Sequence, residues 1–333
     1  MFDESTGVWS TVRIDGVAYR LGILTASATL VKTAAGAFDA VLIGAGGTGG
    51  DATEGGGGGA GYVLQLAGRT LPAGSYPITI GAAPTAAMQK GGDTSAFGLL
   101  APGGGLGTRG GAENSIGGDG GNGGGAGASG TNGQSTVYPG GKGNPGFDGG
   151  RRAIGGTGTR GGGGGGGNGG PGGDASPGNP GTGGPPIVLT FTGVSVAYAP
   201  GGSGGRSGAA PVRPEGVGTW GTGGATNGAW AAQPGAVMVR YALPVTPITG
   251  GGTLPAMTAA GRATVISPVA GGGDLPALTG GGTLVPIAAI TGGADLPALT
   301  GGGSLTPLYL ARGRIATAEH SRSWTRDPGR RFT

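Results

Sequence analysis

Hydrophobic residues in this chain are sparse and come in short clusters. They read FDAVLIG at 38–44, AGYVLQLAG at 60–68, SYPITIG at 75–81, PPIVLTFTGVSVAYAP at 185–200 and GAVMVRYAL at 235–243. Each is a β-branched and aromatic run bounded by Gly or Pro, which predicts a strand. Val237, Val239 and Tyr241 alternate on one face, as do Val194, Val196 and Tyr198. Upstream, residues 12–27 predict two short strands about Asp15-Gly16, a favoured hairpin turn pair. A hairpin this small is not stable alone. Phe2 and Trp9 precede it, and are either anchors for another chain or ordinary packing of the hairpin. Residues 1–37 are therefore expected to be an attachment segment. No helical window of useful length occurs outside a few residues near the C-terminus.

Between these clusters glycine is by far the commonest residue, from 44 to 235. The stretch includes the unbroken run 161–167 and GGDGGNGGGAGASG at 117–130, and the whole chain holds 91 glycines. Glycine loses the most backbone freedom on folding and has no side chain to bury in return. Composition alone says flexible linker. The ordered alternative is a set of side-by-side polyglycine II helices, threefold and extended, exchanging N–H and C=O bonds at close approach. Each net bond contributes about 1 kcal/mol, and weak Cα–H···O contacts add to it. Such an array needs pinned ends. A linker does not carry five strand signals, so the fold expected over 38–242 is mainly β, with short strands framing polyglycine II helices. Inner helices need glycine nearly everywhere, as in GGNGGPGG at 166–173. Outer helices tolerate side chains on one edge, as in KGNPGFDGG at 142–150. Collagen is excluded, because glycine does not recur strictly every third residue.

Gly44, Gly46 and Gly49 have the G-x-G-x-x-G spacing after a strand. A dinucleotide site would open a helix there and place an acidic residue after a second strand. Instead the glycines run on through 55–59, and YVLQL ends in AGRT. No cofactor is expected. The chain has no cysteine, and its one histidine is His320, which excludes disulfides, thiolate metal sites and a histidine cluster. Asp51, Glu54, Asp119 and Asp174 are scattered among glycines, so an enzyme is not expected. The net charge of +4 does not point to nucleic acid. There is no run of 18 apolar residues, hence no expected membrane span. The N-terminus does not read as a signal peptide.

Residues 201–234 carry Arg206, Arg213, Trp220, Asn227 and Trp230 among small residues. Aromatics in such loops either cap the array or face a ligand. The four Arg and Trp residues are the candidate receptor or partner contacts. From 250 to 312 run three copies of 21 residues, with Leu254, Leu275 and Leu296 equivalent and Pro255, Pro276 and Pro297 likewise. A fixed period means one structural unit repeated. Fixed prolines forbid continuous helix and central strand. The repeat is expected to be an extended stalk, a wrapping arm or a spacer. Three chains packed about an axis would bury the leucines as layers, which favours a homotrimer. Residues 313–333 form a basic tail containing Trp324, either solvated or a binding segment.

The succession FDAVLIGAGGTGG, GGGGGAGYVLQLAG, LPAGSYPITIGAA, GGDTSAFGLLAPGGGLG and PGAVMVRYAL over 38–242 resembles the glycine-rich domain of bacteriophage tail proteins. It is most similar to minor tail proteins of phages that infect actinobacteria. That resemblance implies a structural protein of the virion, at the tail tip or on a fibre, contacting other tail proteins and contributing to host attachment. A host-envelope glycan is the implied receptor class. The competing reading is a carbohydrate-binding adhesin, or a glycine-rich surface protein of an actinobacterium. Mycobacterial proteins of the latter kind also read GGNGG, but begin with a helical domain carrying a Pro-Glu signature, which is missing here.

Overall fold

The computed structural model describes residues 1–111, 115–128, 137–153, 160–206, 211 and 218–243, and beyond them the backbone of short strands named below. The chain divides into two compact units, Met1–Ala242 and Leu243–Thr333. It is mainly β, with no α-helix among the described residues.

In the first unit the strands are β1 (Val8–Ile14), β2 (Val17–Leu24), β3 (Ala28–Lys32), β4 (Gly36–Ile43), β5 (Val63–Leu71), β6 (Gly74–Ile78), β7 (Thr94–Ala96), β8 (Leu99–Ala101), β9 (Ile187–Leu189), β10 (Val196–Tyr198) and β11 (Ala236–Ala242). Five of them form one antiparallel sheet in the order β1-β2-β11-β4-β5. The closing strand β11 lies at its centre, between β2 and β4. Asp15 and Gly16 form the predicted β1–β2 turn, with φ of 49° and 81°.

This arrangement redraws the boundary expected at 37/38. The N-terminal hairpin is not separate, because β2 pairs with β11 from Leu24↔Val237 to Tyr19↔Ala242. Completing a sheet within the same unit meets the hairpin's need for a neighbour. Residues 185–200 also differ from one continuous strand. They fold as the β9–β10 hairpin, and Val194 lies exposed outside β10.

Each face of the sheet is covered. On one, Leu21, Val41, Ile43, Val63 and Met238 pack against Leu189, Phe191 and Tyr198 of the β9–β10 hairpin. Tyr241 alternates with Met238 along β11 and so faces the other way. There it joins Phe2, Phe38 and Phe97, with Phe2 edge-on to Phe38 at 5.1 Å and Phe38 edge-on to Phe97 at 4.9 Å. Arg240 ties β11 to β4 and the hairpin, bonding Asp39 at 3.0 Å and the Phe191 carbonyl at 3.0 Å.

The glycine stretches form extended segments running side by side off one end of this sheet. Their backbone N–H groups turn through three neighbours in a three-residue rotation. In segment 55–62, Gly56, Gly59 and Tyr62 donate to Thr108, Gly105 and Pro102. Gly57 and Ala60 donate to Gly163 and Gly166, while Gly58 and Gly61 donate to Gly224 and Gly221. The carbonyls of the same segment accept from 44–50, 122–128 and 199–206, so it is ringed by six neighbours. Segments 122–128 and 161–168 are ringed in the same way. The neighbours of 122–128 are 55–62, 102–108, 115–121, 139–143, 146–153 and 161–168. Those of 161–168 are 55–62, 122–128, 146–153, 171–175, 179–185 and 199–206.

Glycine is required by contact, not composition. A Cβ on Gly58 would lie 2.1 Å from the Gly47 carbonyl oxygen, and one on Gly165 would lie 2.0 Å from that of Gly58. The G-x-G-x-x-G glycines have the same role. Side chains at Gly44 and Gly46 would strike the carbonyls of Pro102 at 2.3 Å and Thr222 at 1.9 Å. On the outer segment 115–121, Ile116 and Asp119 sit three residues apart and both are exposed.

In the second unit, β12 (Ile248–Thr249), β13 (Met257–Thr258), β14 (Arg262–Val265), β15 (Val269–Ala270), β16 (Leu278–Thr279), β17 (Thr283–Pro286), β18 (Ile290–Thr291), β19 (Leu299–Thr300) and β20 (Ser304–Leu305) form three parallel sheets. Their orders are β12-β15-β18, β13-β16-β19 and β14-β17-β20. Partners such as Met257, Leu278 and Leu299 are equivalent positions of the 21-residue repeat. A hairpin of β21 (Tyr309–Ala311) and β22 (Arg314–Ala316) follows. Leu254, Leu275 and Leu296, the proposed layers, lie outside the described residues, as does the tail beyond 316.

Two alanine substitutions separate packing from composition. Gly58→Ala is expected to destabilise the first unit by about 3 kcal/mol or more, since backbone must move to admit the methyl. Gly68→Ala, at φ +61° with nothing within 4 Å, is expected to cost only about 1 kcal/mol. Chemical denaturation of the two variants checks this, and equal costs would contradict the close-packed lattice.

Candidate functional site

The array has two unlike ends. Segment 55–62 leads from Tyr62 directly into β5, so its Tyr62 end abuts the sheet. At its Gly55 end the chain turns through residues 51–54. Hydrogen bonds gather other turns around that second end. Gly205 donates to Gly55, Ala128 to Glu54, Asn227 to Gly50 and Gly162 to Gly205. Ala153 donates to Gly161 and Ala175 to Arg151. The array thus presents a face of loops, away from the sheet, drawn from stretches far apart in sequence.

The charges on this face fall into two sectors. In one, Arg109 approaches Asp51 at 3.5 Å, beside Glu54. The other holds Arg151, Arg152, Arg160 and Arg206, with Asp174. Asp174 accepts the Arg151 backbone N–H at 2.7 Å and so braces that turn. Arg152 is buried, its guanidinium 4.1 Å from the Tyr138 ring centroid, and burial lowers its pKa from the ordinary arginine value. Arg206 is half-buried and donates from Nη1 to the Gly178 carbonyl, which seats it on the 176–179 turn. Nearer the sheet, Asp148 accepts from Lys142 Nζ at 2.7 Å and the Gly143 N–H at 3.0 Å. Those bonds, the lysine's first, hold its carboxyl below the usual range.

The residues singled out from sequence are dispersed. Arg206 lies on the loop face, and Arg213 falls outside the described residues. Trp220 lies at the opposite end. It adjoins Gly221, which accepts from Gly61 near the sheet, and stacks on Tyr198 with centroids 6.0 Å apart and planes 6° apart. Of the two roles open to it, the structure assigns capping. Trp230 is part-buried and donates from Nε1 to the Gly223 carbonyl at 3.2 Å.

Phe2 is 5% exposed within the ring cluster, and Trp9 lies half-buried over Gly22, where a Cβ would meet the ring at 2.6 Å. Both pack inside the first unit rather than projecting from it. Sequence reading missed Arg151, Arg152 and Arg160. Their signal was an arginine pair and a third arginine enclosed by glycine runs that carry few other charges.

Among the described residues no group of three or more His, Cys, Asp or Glu could hold a metal, and no helix is long and apolar enough to cross a membrane. No family model and no curated protein matches the chain.

Trp220→Ala is expected to lose about 3 kcal/mol of stability, from the cavity under Tyr198. Arg206→Gln is expected to change stability by about 1 kcal/mol or less. Thermal melts of both variants check the division between a packing residue and a loop-face residue.

Proposed function

We propose that the glycine segments are polyglycine II helices in a hexagonal bundle, and that the chain is a structural component of a bacteriophage tail, at the tip or on a fibre. The bundle holds the loop face toward the host envelope. The observation that carries the bundle is the three-residue rotation of N–H donors through three neighbours, the symmetry of a threefold helix. At ~3.1 Å per residue a segment such as 55–62 spans about 22 Å, so the loops stand well clear of the sheet. The motif succession over 38–242 carries the tail assignment, and other tail proteins are the partners it implies.

The reading is non-enzymatic. The one histidine lies in the C-terminal tail, and no cysteine supplies a thiol nucleophile. The homotrimer was motivated by leucines lacking neighbours within one chain. Parallel pairing of successive repeats supplies intrachain backbone neighbours, and supports instead a coil of 21 residues per turn. A cell-surface adhesin of an actinobacterium is the second reading, with the same loop face as its binding surface.

Replacing residues 207–217 with a Gly-Ser segment of equal length tests the proposal. Tail assembly is expected to persist while adsorption to host cells falls severely. Normal adsorption would refute the attachment role, and absence of the chain from purified particles would refute the tail assignment in favour of a cell-surface protein. Hydrogen exchange tests the bundle. Amides of 57–61, 123–126 and 162–166 are expected to be protected far beyond random-coil rates.

A further inference from the structure

The attachment reading leaves the receptor's chemistry open, and the loop face narrows it. Its arginines are unevenly placed. Arg151, Arg152, Arg160 and Arg206 share one sector, Arg152 and Arg160 being buried, with Asp174 as the sole acid among its described residues, whereas Arg109 pairs with Asp51 in the other. The sector is assembled by the array alone. Ala153 donates to Gly161 at 3.0 Å, linking the 151–153 turn to the start of segment 161–168. Gly162 donates to Gly205 at 2.9 Å, bringing Arg206 alongside, and Arg206 reaches the Gly178 carbonyl of the next turn.

Asp174 forms no ion pair with Arg151 or Arg206. One of its oxygens is committed to the Arg151 backbone N–H, and among the described residues neither Arg151 nor Arg206 enters an ion pair. Arg151 is exposed, and Arg206 is held in place by a neutral carbonyl that leaves its charge uncompensated. A protein with few charges, 11% of its residues, has thus concentrated cations on the face farthest from its sheet.

Arginine presents a planar, permanently charged fork that matches carboxylate and phosphate oxygens in pairs. Arg152 lies against Tyr138 at 4.1 Å, which adds an aromatic surface beside the cations. Repeated anions on a polymer would meet Arg151 and Arg206 at once, gaining from both the local potential and multivalency. Resting on the attachment reading, we propose that the sector presenting Arg151 and Arg206 binds an anionic envelope polymer, a glycan or polyol chain bearing phosphate or carboxylate groups.

The test uses the full chain against immobilised poly(glycerol phosphate), polygalacturonate and neutral dextran, each over a range of salt concentrations. Binding to at least one anionic polymer is expected, weakening as salt rises, with none to dextran. The polymer that binds separates a phosphate from a carboxylate source. Arg151→Gln combined with Arg206→Gln is expected to weaken binding about tenfold or more. Arg109→Gln, on the neutralised sector, is expected to leave it unchanged. Arg151→Gln alone, on an exposed side chain, guards against a folding artefact and is expected to give an intermediate loss.

Equal binding to dextran, no binding to either polyanion, or a double variant that binds like the parent would overturn the proposal. The attachment role is read separately, by adsorption of particles in which 207–217 is replaced by a Gly-Ser segment of equal length. If that replacement blocks adsorption while the polyanion results are negative, the loops attach and the anionic receptor class is wrong.

Discussion

Everything in the first unit depends on how closely two backbones can approach. A hydrogen bond between extended segments contributes only about 1 kcal/mol net, but a buried peptide group left without one costs more than it would have gained. The array resolves this by giving each interior segment six neighbours, so both N–H and C=O find partners in every direction. That coordination exists only without side chains. At most interior glycines an added Cβ would fall within 1.8 to 2.3 Å of a carbonyl oxygen, as at Gly124, Gly164 and Gly202. The lattice is therefore a core made of backbone, and its glycines are as constrained as the leucines of an ordinary core. Ala60 shows where a methyl is admitted. It belongs to segment 55–62 but joins Val41, Ile43 and Met238 in the side-chain core, at the end where the lattice meets the sheet.

Two asparagines make that junction continuous. Segment 55–62 donates to 161–168 at Gly57 and Ala60, and the next donor in sequence is Val63, the first residue of β5. Its acceptor is the Asn168 side-chain oxygen at 2.9 Å, while Asn168 Nδ2 donates to the Gly61 carbonyl. The side-chain amide stands in for the peptide group that the turning chain no longer supplies. Asn122 does likewise. It is fully buried, donates to the Ala60 carbonyl at 3.1 Å and accepts the Phe147 N–H at 2.9 Å. An amide carries both donor and acceptor, so it can replace a peptide within a lattice of peptides. The array is thereby fastened to the sheet by hydrogen bonds as well as by covalent continuity.

Much of this was legible in the sequence, and what was not has physical reasons. β4, β5 and β11 stood out as apolar runs between glycines, because a strand in a side-chain core must be hydrophobic. Their order was hidden, since nothing local tells β11 to insert between β2 and β4. The N-terminal hairpin was recognised as too small to stand alone, yet whether its partner lay within the chain or beyond it depends on pairing across more than 200 residues, such as Met238 with Ile23. Trp220 and Arg206 were grouped by sequence proximity. Arg206 ends segment 199–206 at the loop face, whereas Trp220 adjoins Gly221 near the sheet, so the two lie at opposite ends. Arg151 and Arg160 were overlooked for the converse reason, because only the lattice brings them beside Arg206.

The same geometry separates scaffold from surface. Interior positions tolerate almost nothing, since each glycine is fixed by a neighbour's carbonyl. The turns at the loop face close the ends of the segments, and side chains such as those of Arg151, Ser176 and Asn227 are exposed there without disturbing the lattice. A sequence that builds its interior segments from glycine therefore confines its chemical variety to the turns. Side chains on the turns can change in charge and size while the backbone beneath them keeps its register. In an ordinary β-sandwich the loops are supported by side-chain packing that tolerates compensating substitutions. Here the support is backbone against backbone, which leaves the loop face as the part of the first unit where recognition can be altered at least cost to the fold.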